Sequence, residues 1–176
     1  MNKSEQFRQS VLNQIEQACQ QVKRDPSTVQ LLAVSKTHPS QTLREMYTVG
    51  QRCFGENYLQ EALTKIDELQ DLDIEWHFIG HVQRNKTKHL AETFDWVHGV
   101  DRFIIAERLS KQRLENQKPL NICIQVNIDG QNSKDGCQPN EVLELVHQIS
   151  QLPHIRLRGL MVIPAPENHA AFADAK

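Results

Sequence analysis

A lysine follows a run of residues that is typical of a buried strand. Residues 31–35 read LLAVS, and Lys36 comes directly after them. An amine at the end of a buried strand is partly desolvated, which lowers its pKa and frees it as a nucleophile. The chemistry open to such an amine is a Schiff base with a carbonyl compound. The alternative is a structural lysine at the rim of a sheet, paired with a neighbouring carboxylate.

Two further segments place polar or polarisable side chains at the ends of strands. In FGENYLQEA (54–62), Gly55 permits close approach of a backbone, and Asn57 can donate and accept hydrogen bonds. The asparagine would serve equally as a helix cap. In RGLMVIP (158–164), Met161 lies near a strand end, where it either fills the core or lines a flat ring. Both segments are therefore candidates for binding a ligand.

The histidines and the polar loops do not predict a metal site. His77 and His81 are four residues apart, but they straddle a strand and its turn and so do not share a face. The segment DGQNSKDG (129–136) has Lys134 where a calcium loop needs glycine, and it lacks the bidentate glutamate. It is better interpreted as a polar loop at the rim, from which Lys134 can reach a ligand.

The composition is that of an ordinary soluble domain. The 176 residues are 39% hydrophobic and 24% charged, with a net charge of −2. That balance argues against a polyanion-binding protein, and a solvated helix start explains the basic residues Arg84, Lys86 and Lys88 more simply than a phosphate site. No apolar run approaches the roughly 20 residues that a membrane span needs.

The cysteines and the first residues predict a cytoplasmic protein. Cysteines at positions 19, 53, 123 and 137 form no C-x-x-C pair and fit no zinc module, which favours reduced thiols. The opening residues 1–10 are polar and contain no signal peptide. The length suits one domain with a sizeable core, and we expect residues 1–176 to form that domain.

Strands and helices alternate along the chain. A first helix is predicted from apolar residues at helical spacing, and later helices over about 57–69, over about 83–92 and from Pro139. Ser40 and Asp101 are predicted to cap two more helices. The apolar residues of the first helix are Phe7, Val11, Ile15, Cys19 and Val22. Strands are predicted at 31–35, 52–55, 76–80, 95–100, 121–128 and 157–163.

Six strand–helix units imply a parallel sheet covered by helices. An open doubly wound sheet loses support because no G-x-G-x-x-G follows the first strand. A (β/α)8 barrel is favoured because polar residues gather just past the strands, where barrels build their sites. These residues are Lys36, Glu56, Asn57, His81 and Asn127. The prediction is a TIM barrel that is incomplete, with about six of its eight units.

Five segments together resemble a known family. AVSKTHP, FGENYLQEA, WHFIGHVQRNK, QVNIDGQNSKDG and LRGLMVIP occur in the order and spacing of the pyridoxal phosphate homeostasis proteins. The resemblance extends from about Leu31 to Pro166, and five ordered motifs make it specific. It implies a fold similar to the N-terminal domain of alanine racemase.

The resemblance also implies a cofactor and its ligands. Such proteins hold pyridoxal 5′-phosphate (PLP) as a Schiff base on the lysine that matches Lys36, and the site here would comprise Lys36, Asn57, His77 and Met161. They have no established catalytic turnover, and they buffer or deliver PLP, which supports amino-acid and keto-acid balance. The implied partners are PLP and PLP-dependent apo-enzymes, with no nucleic acid and no membrane, and the full-length protein would be a monomer.

The sequence departs from the family at the rim and at its end. The family often has lysine where His38 stands, proline where His81 stands, and S-K-S-G in place of SKDG. The last residues, ENHAAFADAK, read as the start of another helix, and the family's last two strands, with most of its phosphate contacts, do not follow. A barrel left open in this way predicts weak PLP retention, poor solubility or self-association.

Two other functions stay open on the sequence. A racemase using the same imine needs an acid–base pair on opposite faces of the ring, and in alanine racemase one partner comes from a second domain for which this chain has no room. An RNA- or protein-binding module at the basic residues is opposed by the net charge and by the lack of interleaved aromatic residues. The favoured prediction is a PLP carrier.

Overall fold

The computed structural model describes residues 3–131 and 134–165, and its strands form one parallel sheet in sequential order. Neighbours in sequence are thus neighbours in the sheet, as in a β/α barrel, whereas a doubly wound sheet reverses its order at a switch point. The strands are β1 (Ala33–Val34), β2 (Cys53–Glu56), β3 (Glu75–Phe78), β4 (Trp96–Val100), β5 (Leu120–Val126) and β6 (Ile155–Val162).

Helices precede the first strand and follow each strand from β1 to β5. They are α1 (Lys3–Gln21), α2 (Ser40–Thr48), α3 (Leu59–Glu68), α4 (Thr87–Thr93), α5 (Phe103–Gln112) and α6 (Val142–Ile149). The predicted alternation of six units is therefore confirmed. The helix predicted to start within ENHAAFADAK lies outside the described residues.

The side chains of each strand divide between a helix-facing core and an inner face. Phe54, Trp76 and Phe78 belong to the buried hydrophobic core beneath the helices. Because successive side chains of a strand point to opposite faces, the residues that alternate with them, such as Gly55 and His77, line the inner face of the curved sheet. This alternation decides which polar residues meet.

The first strand is shorter and more exposed than predicted. The prediction of a buried strand over 31–35 was wrong, because only Ala33–Val34 are extended and Val34 is 51% exposed. Within the described residues β1 pairs with β2 alone and is an edge strand. In α1, Cys19 is buried but Phe7 is 62% exposed, so the predicted apolar face is only partly covered.

Both predicted helix caps were wrong. Ser40 is the first residue of α2 with Pro39 before it, and its hydroxyl donates to Glu68. Asp101 lies two residues before α5 and pairs with Arg102, the residue at the N-cap, at 3.0 Å. A tertiary partner and a neighbouring arginine thus compete successfully with local capping.

All four cysteines are free and buried. Among residues 3–131 and 134–165, no helix has the length and apolar character of a membrane span.

Candidate functional site

Lys36 and Asn57 lie at the carboxyl end of the sheet. Val34 pairs in register with Gly55, and Lys36 and Asn57 each follow two residues later. Lys36 is half-buried, and its amine has no hydrogen bond or ion pair with any described residue. The alternative of a structural lysine paired with a carboxylate finds no support among the described residues.

Close backbone contacts connect this end to β6. Gly80 lies so close to Asn57 that a Cβ added to it would be 2.5 Å from the Asn57 carbonyl oxygen. Gly99 is equally close to Gly80, and a Cβ added to Gly99 would also lie 3.3 Å from the Gln125 side-chain oxygen. Gln125 in turn pairs in register with Met161. This succession of contacts places Met161 at the same end of the sheet as Asn57.

The two peptide groups that flank Lys36 are both held by one ion pair. Lys65 Nζ donates to the Ser35 carbonyl oxygen at 2.7 Å, and the Thr37 amide donates to Glu61 Oε1 at 2.6 Å. Lys65 and Glu61 bond each other at 2.6 Å. The backbone of Lys36 is thus fixed from both sides, while its side chain has no partner in ranges 3–131 and 134–165.

Glu56 completes this arrangement, and we call Glu56, Glu61 and Lys65 the lysine clamp. Glu56 is fully buried, and its Oε1 accepts from Lys65 Nζ at 2.8 Å and from the Ser35 hydroxyl at 2.6 Å. The hydrogen bond from Lys65 holds the pKa of Glu61 below its usual value. Lys65 is itself only 4% exposed, so its charge is compensated by direct partners rather than by water.

Thr37 adds backbone strain at the same place. Its φ of +66° lies in the left-handed region, which residues other than glycine rarely adopt. Strained backbone persists where its surroundings over-determine it, and the bond from the Thr37 amide to Glu61 supplies that restraint. A cavity of about 470 Å³ adjoins the clamp, with Thr37, His38, Glu61 and Lys65 in its wall.

Asn57 carries a buried oxygen that lacks a partner. Its Oδ1 accepts no hydrogen bond within the described part of the chain. The alternative that Asn57 caps a helix is wrong, because α3 begins at Leu59 with Tyr58 at the N-cap. An unsatisfied buried acceptor directly after β2 fits a ligand that donates a hydrogen bond beside Lys36.

His77 lies one inward-facing position below this end. It pairs in register with Gly55, and its ring nitrogens bond Glu75 Oε1 and His98 Nε2, each at 2.9 Å. Burial lowers the pKa of His77 below its usual value, and it lowers the pKa of His98 to about 4. The imidazole also stacks on Trp96. The cofactor role of His77 stays a prediction, since its nitrogens are engaged away from Lys36.

Two rim residues have partners that their sequence context did not reveal. Lys134 Nζ donates to Asp129 Oδ2 and to the Ile163 carbonyl oxygen, each at 2.9 Å. His81 Nδ1 lies 3.0 Å from Asp135. Contact of Lys134 with a ligand stays a prediction, because these bonds would have to be exchanged for it.

Sequence reasoning missed two members of the clamp. Glu61 and Lys65 are four residues apart on α3, which is a recognisable spacing for a helical ion pair. The spacing does not reveal that the pair is turned toward Ser35 and Thr37, because that contact depends on how α3 packs beside β1.

The sequence and the fold both match known proteins over most of the chain. Residues 10–176 match the family model of the alanine racemase N-terminal domain. A pyridoxal phosphate homeostasis protein of Pseudomonas aeruginosa is 55% identical over 168 residues, which cover 93% of this chain and 73% of that protein. Such relatives are named for homeostasis and not for a reaction.

Solved structures give the same result. PipY of Synechococcus elongatus PCC7942 has a TM-score of 0.79 at 41% identity without PLP, over 92% of this chain and 78% of that one. Its PLP-bound structure has a TM-score of 0.74 at 40% identity, over 92% and 75%. Alanine racemase from Corynebacterium glutamicum, at 15% identity and a TM-score of 0.64, over 84% of this chain and 43% of that one, shows the shared fold alone. The predicted family resemblance and fold are confirmed.

Proposed function

The chain belongs to the pyridoxal phosphate homeostasis protein family, and on that premise we propose that it binds PLP covalently through Lys36 and carries it. The observation that carries this proposal is the amine of Lys36, which pairs with no described residue and lies between two fixed peptide groups. When bound, PLP supplies an aldehyde with which a lysine amine condenses.

The difference between two neighbouring lysines supports the choice of Lys36. Lys65 donates to Ser35, Glu56 and Glu61, which uses all three protons of its ammonium group. Lys36 has none of these bonds, so its amine reacts without first losing structural contacts. The clamp therefore positions the reactive lysine and takes no part in the bond to the cofactor.

Three further residues are proposed to surround the cofactor. Asn57 would use its unsatisfied Oδ1 to accept a hydrogen bond from the ligand. Met161 would offer a polarisable apolar surface to a flat ring. His77 would contribute from the level below, through the imidazole that stacks on Trp96.

We propose that the protein has no turnover of its own. Racemisation needs an acid and a base that are free to exchange protons with the substrate. The buried ionisable groups beside Lys36 bond one another within the clamp and are committed to structure. We expect polarimetry of L-alanine with the PLP-loaded chain to show no change in rotation, and a loss of rotation would favour a racemase.

The remaining expectations are proposals about the whole protein. We propose one domain over residues 1–176, delivery of PLP to PLP-dependent apo-enzymes, and a monomeric state for the full-length protein. We also propose a cytoplasmic location, which the four free cysteines support, since thiols stay reduced there.

Absorbance spectra of the unmodified chain and of two variants, each with added PLP, test the central proposal. The unmodified chain should develop the visible band of a lysine-bound cofactor, and borohydride should abolish it. Lys36→Ala should lose the band. Lys88→Ala is the matched control, because Lys88 is an exposed lysine on α4 whose nearest ion-pair partner, Glu92, is 3.8 Å away.

Each result decides a separate part of the proposal. A band that survives in Lys36→Ala but is lost in Lys88→Ala would mean adventitious modification of a surface lysine. A band absent from the unmodified chain would contradict covalent PLP binding by this chain. Circular dichroism of Lys36→Ala, compared with the unmodified chain, excludes unfolding as the cause of a lost band.

A further inference from the structure

A second group of polar side chains starts at the amino end of the sheet and includes His77, which is also proposed for the cofactor site. Cys53 and Glu75 are the first residues of β2 and β3 and pair in register. His77 follows Glu75 by two residues, so its side chain points to the same face. The thiol sulfur, a carboxylate oxygen and an imidazole nitrogen of the three residues all lie within 4.8 Å of one another. Strand register, and not sequence spacing, assembles this cluster.

We propose that Cys53, Glu75 and His77 bind a divalent ion of the zinc class. Thiolate, imidazole and carboxylate are the donors that zinc takes in proteins, and one thiolate with one carboxylate neutralises a charge of +2. Tetrahedral ligand atoms around zinc are about 3.3–3.8 Å apart, given its usual bond lengths. The contact of Glu75 Oε1 with His77 Nε2 is 2.9 Å and that with Cys53 Sγ is 3.4 Å. Small side-chain movements therefore open the cluster for the ion.

Outer contacts already orient two of the three donors. His77 Nδ1 faces His98 Nε2 at 2.9 Å, so the second N–H of a ligating His77 would have an acceptor. Gln30 Nε2 donates to Cys53 Sγ, although burial and the neighbouring Glu75 raise the pKa of the thiol to about 11. On binding, the Cys53 thiol releases one proton to solvent, and the single proton of the His77 ring resides on Nδ1.

The cluster also has a route for an ion and room for a fourth ligand. Glu75 is 40% exposed on its side chain, although Cys53 and His77 are buried. A cavity of about 360 Å³ adjoins it, with Cys53, Glu75, Asp73 and Asp95 in its wall. The same wall also includes Arg52 and Lys118, so its three carboxylates leave only a small excess of negative charge. Water from the cavity fills the fourth position.

Titration of the reduced chain with Co²⁺, in the absence of PLP, tests this site. Cobalt replaces zinc in such sites and gives a charge-transfer band when a thiolate binds it. We expect the band in the unmodified chain and its loss in Cys53→Ser. Addition of Zn²⁺ to the unmodified chain should displace Co²⁺ and remove the band. Cys123→Ser is the matched control, because Cys123 is also buried but lies in β5, two strands beyond β3.

Two further variants separate a ligand from a structural residue. Glu75→Gln, at a partly exposed position, should weaken Co²⁺ affinity while circular dichroism stays unchanged. His98→Phe should weaken it about 10- to 100-fold and keep the thiolate band, as expected for a residue that only orients a ligand. No band in the unmodified chain, or an equal band in Cys53→Ser, would overturn the proposal. Neither result would bear on PLP binding at Lys36.

Discussion

The polar side chains at the two ends of the sheet differ in whether their bonds hold the structure or can be exchanged for a ligand. At the carboxyl end, Lys65 bonds Glu56 and Glu61 and all three serve to hold the backbone around Lys36. At the amino end, Glu75 Oε1 forms hydrogen bonds with the Cys53 thiol and with His77 Nε2, and a metal ion can replace the protons of these bonds. Charges at the first end are committed to structure, whereas donor atoms at the second are available to a cation.

This difference shows how one sheet can support two kinds of site. A covalent site needs one reactive amine at a fixed place, and the clamp supplies that position without bonding the amine itself. A metal site needs several donors with replaceable protons, and strand register supplies their proximity. Substitutions in the lysine clamp should therefore change stability strongly, while those in the Cys53, Glu75 and His77 cluster should change ion binding first.

The largest effect is expected when the clamp loses its cation. Lys65→Met leaves Glu56 fully buried and without its ion-pair partner, which should lower the free energy of unfolding by about 3–5 kcal/mol. Urea unfolding measures this loss. Adding Glu56→Gln to the same chain should recover part of it, because the uncompensated charge is then absent.

An exposed pair with the same spacing is the control for Lys65→Met. Lys111 and Glu107 are also four residues apart on a helix, at 2.7 Å, but the lysine is 69% exposed. Lys111→Met should change stability by less than about 0.5 kcal/mol. Equal losses for the two lysines would show that burial of the clamp is unimportant and would break the comparison between the two ends.

A smaller effect is expected where the backbone crowds the carboxyl end. In Gly80→Ala the new methyl group would lie 2.5 Å from the Asn57 carbonyl oxygen, so the backbone at the rim must shift. We expect this shift to lower the free energy of unfolding by about 1–3 kcal/mol. Gly55→Ala is the control, since its methyl group would meet first the flexible end of Ile79 at 3.1 Å. A greater loss of stability and of PLP binding in Gly80→Ala would support the proposal that the backbone around Asn57 forms part of the PLP site. Equal losses in the two variants would contradict it.

A pH-dependent effect is expected from the other carboxylate of the clamp. Glu61 has a folded-state pKa lowered from 4.5 by its bond to Lys65, so the unfolded state binds more protons in that range. Its contribution is complete above pH 4.5 and is lost as the pH falls through the lowered value. Glu61→Gln should therefore cost about 1 kcal/mol at neutral pH and almost nothing in strong acid. An undiminished difference in acid urea unfolding would contradict this.

The sequence predicted the order of the elements and the place of Lys36 just past the first strand, because both depend on local pattern. Alternating strands and helices gave six units, and the position of Lys36 after an apolar run marked the strand end. Local pattern failed where a distant partner decides the outcome: β1 is short because it is an edge, and Ser40 bonds Glu68 instead of capping α2.

The two ends differ in how far sequence could reveal them. The spacing of Glu61 and Lys65 was visible, although the direction in which the pair points was not. The cluster of Cys53 and Glu75 was hidden, because 22 residues separate its members and only the pairing of β2 with β3 brings them side by side. Spacing rules for metal sites describe ligands within one segment, and these ligands come from two strands.

The smallest effect on stability is expected at the residue with the largest proposed role. Lys36 has no side-chain partner within the described residues, so Lys36→Ala should change the free energy of unfolding by less than about 0.5 kcal/mol. The same variant should lose the PLP-dependent band, whereas Lys65→Met should keep part of it in the fraction that stays folded. Urea unfolding and absorbance on the two variants measure both quantities. A stability loss in Lys36→Ala as large as that in Lys65→Met would mean that Lys36 is structural. The proposal that Lys36 binds the cofactor while Lys65 stabilises the backbone would then be wrong.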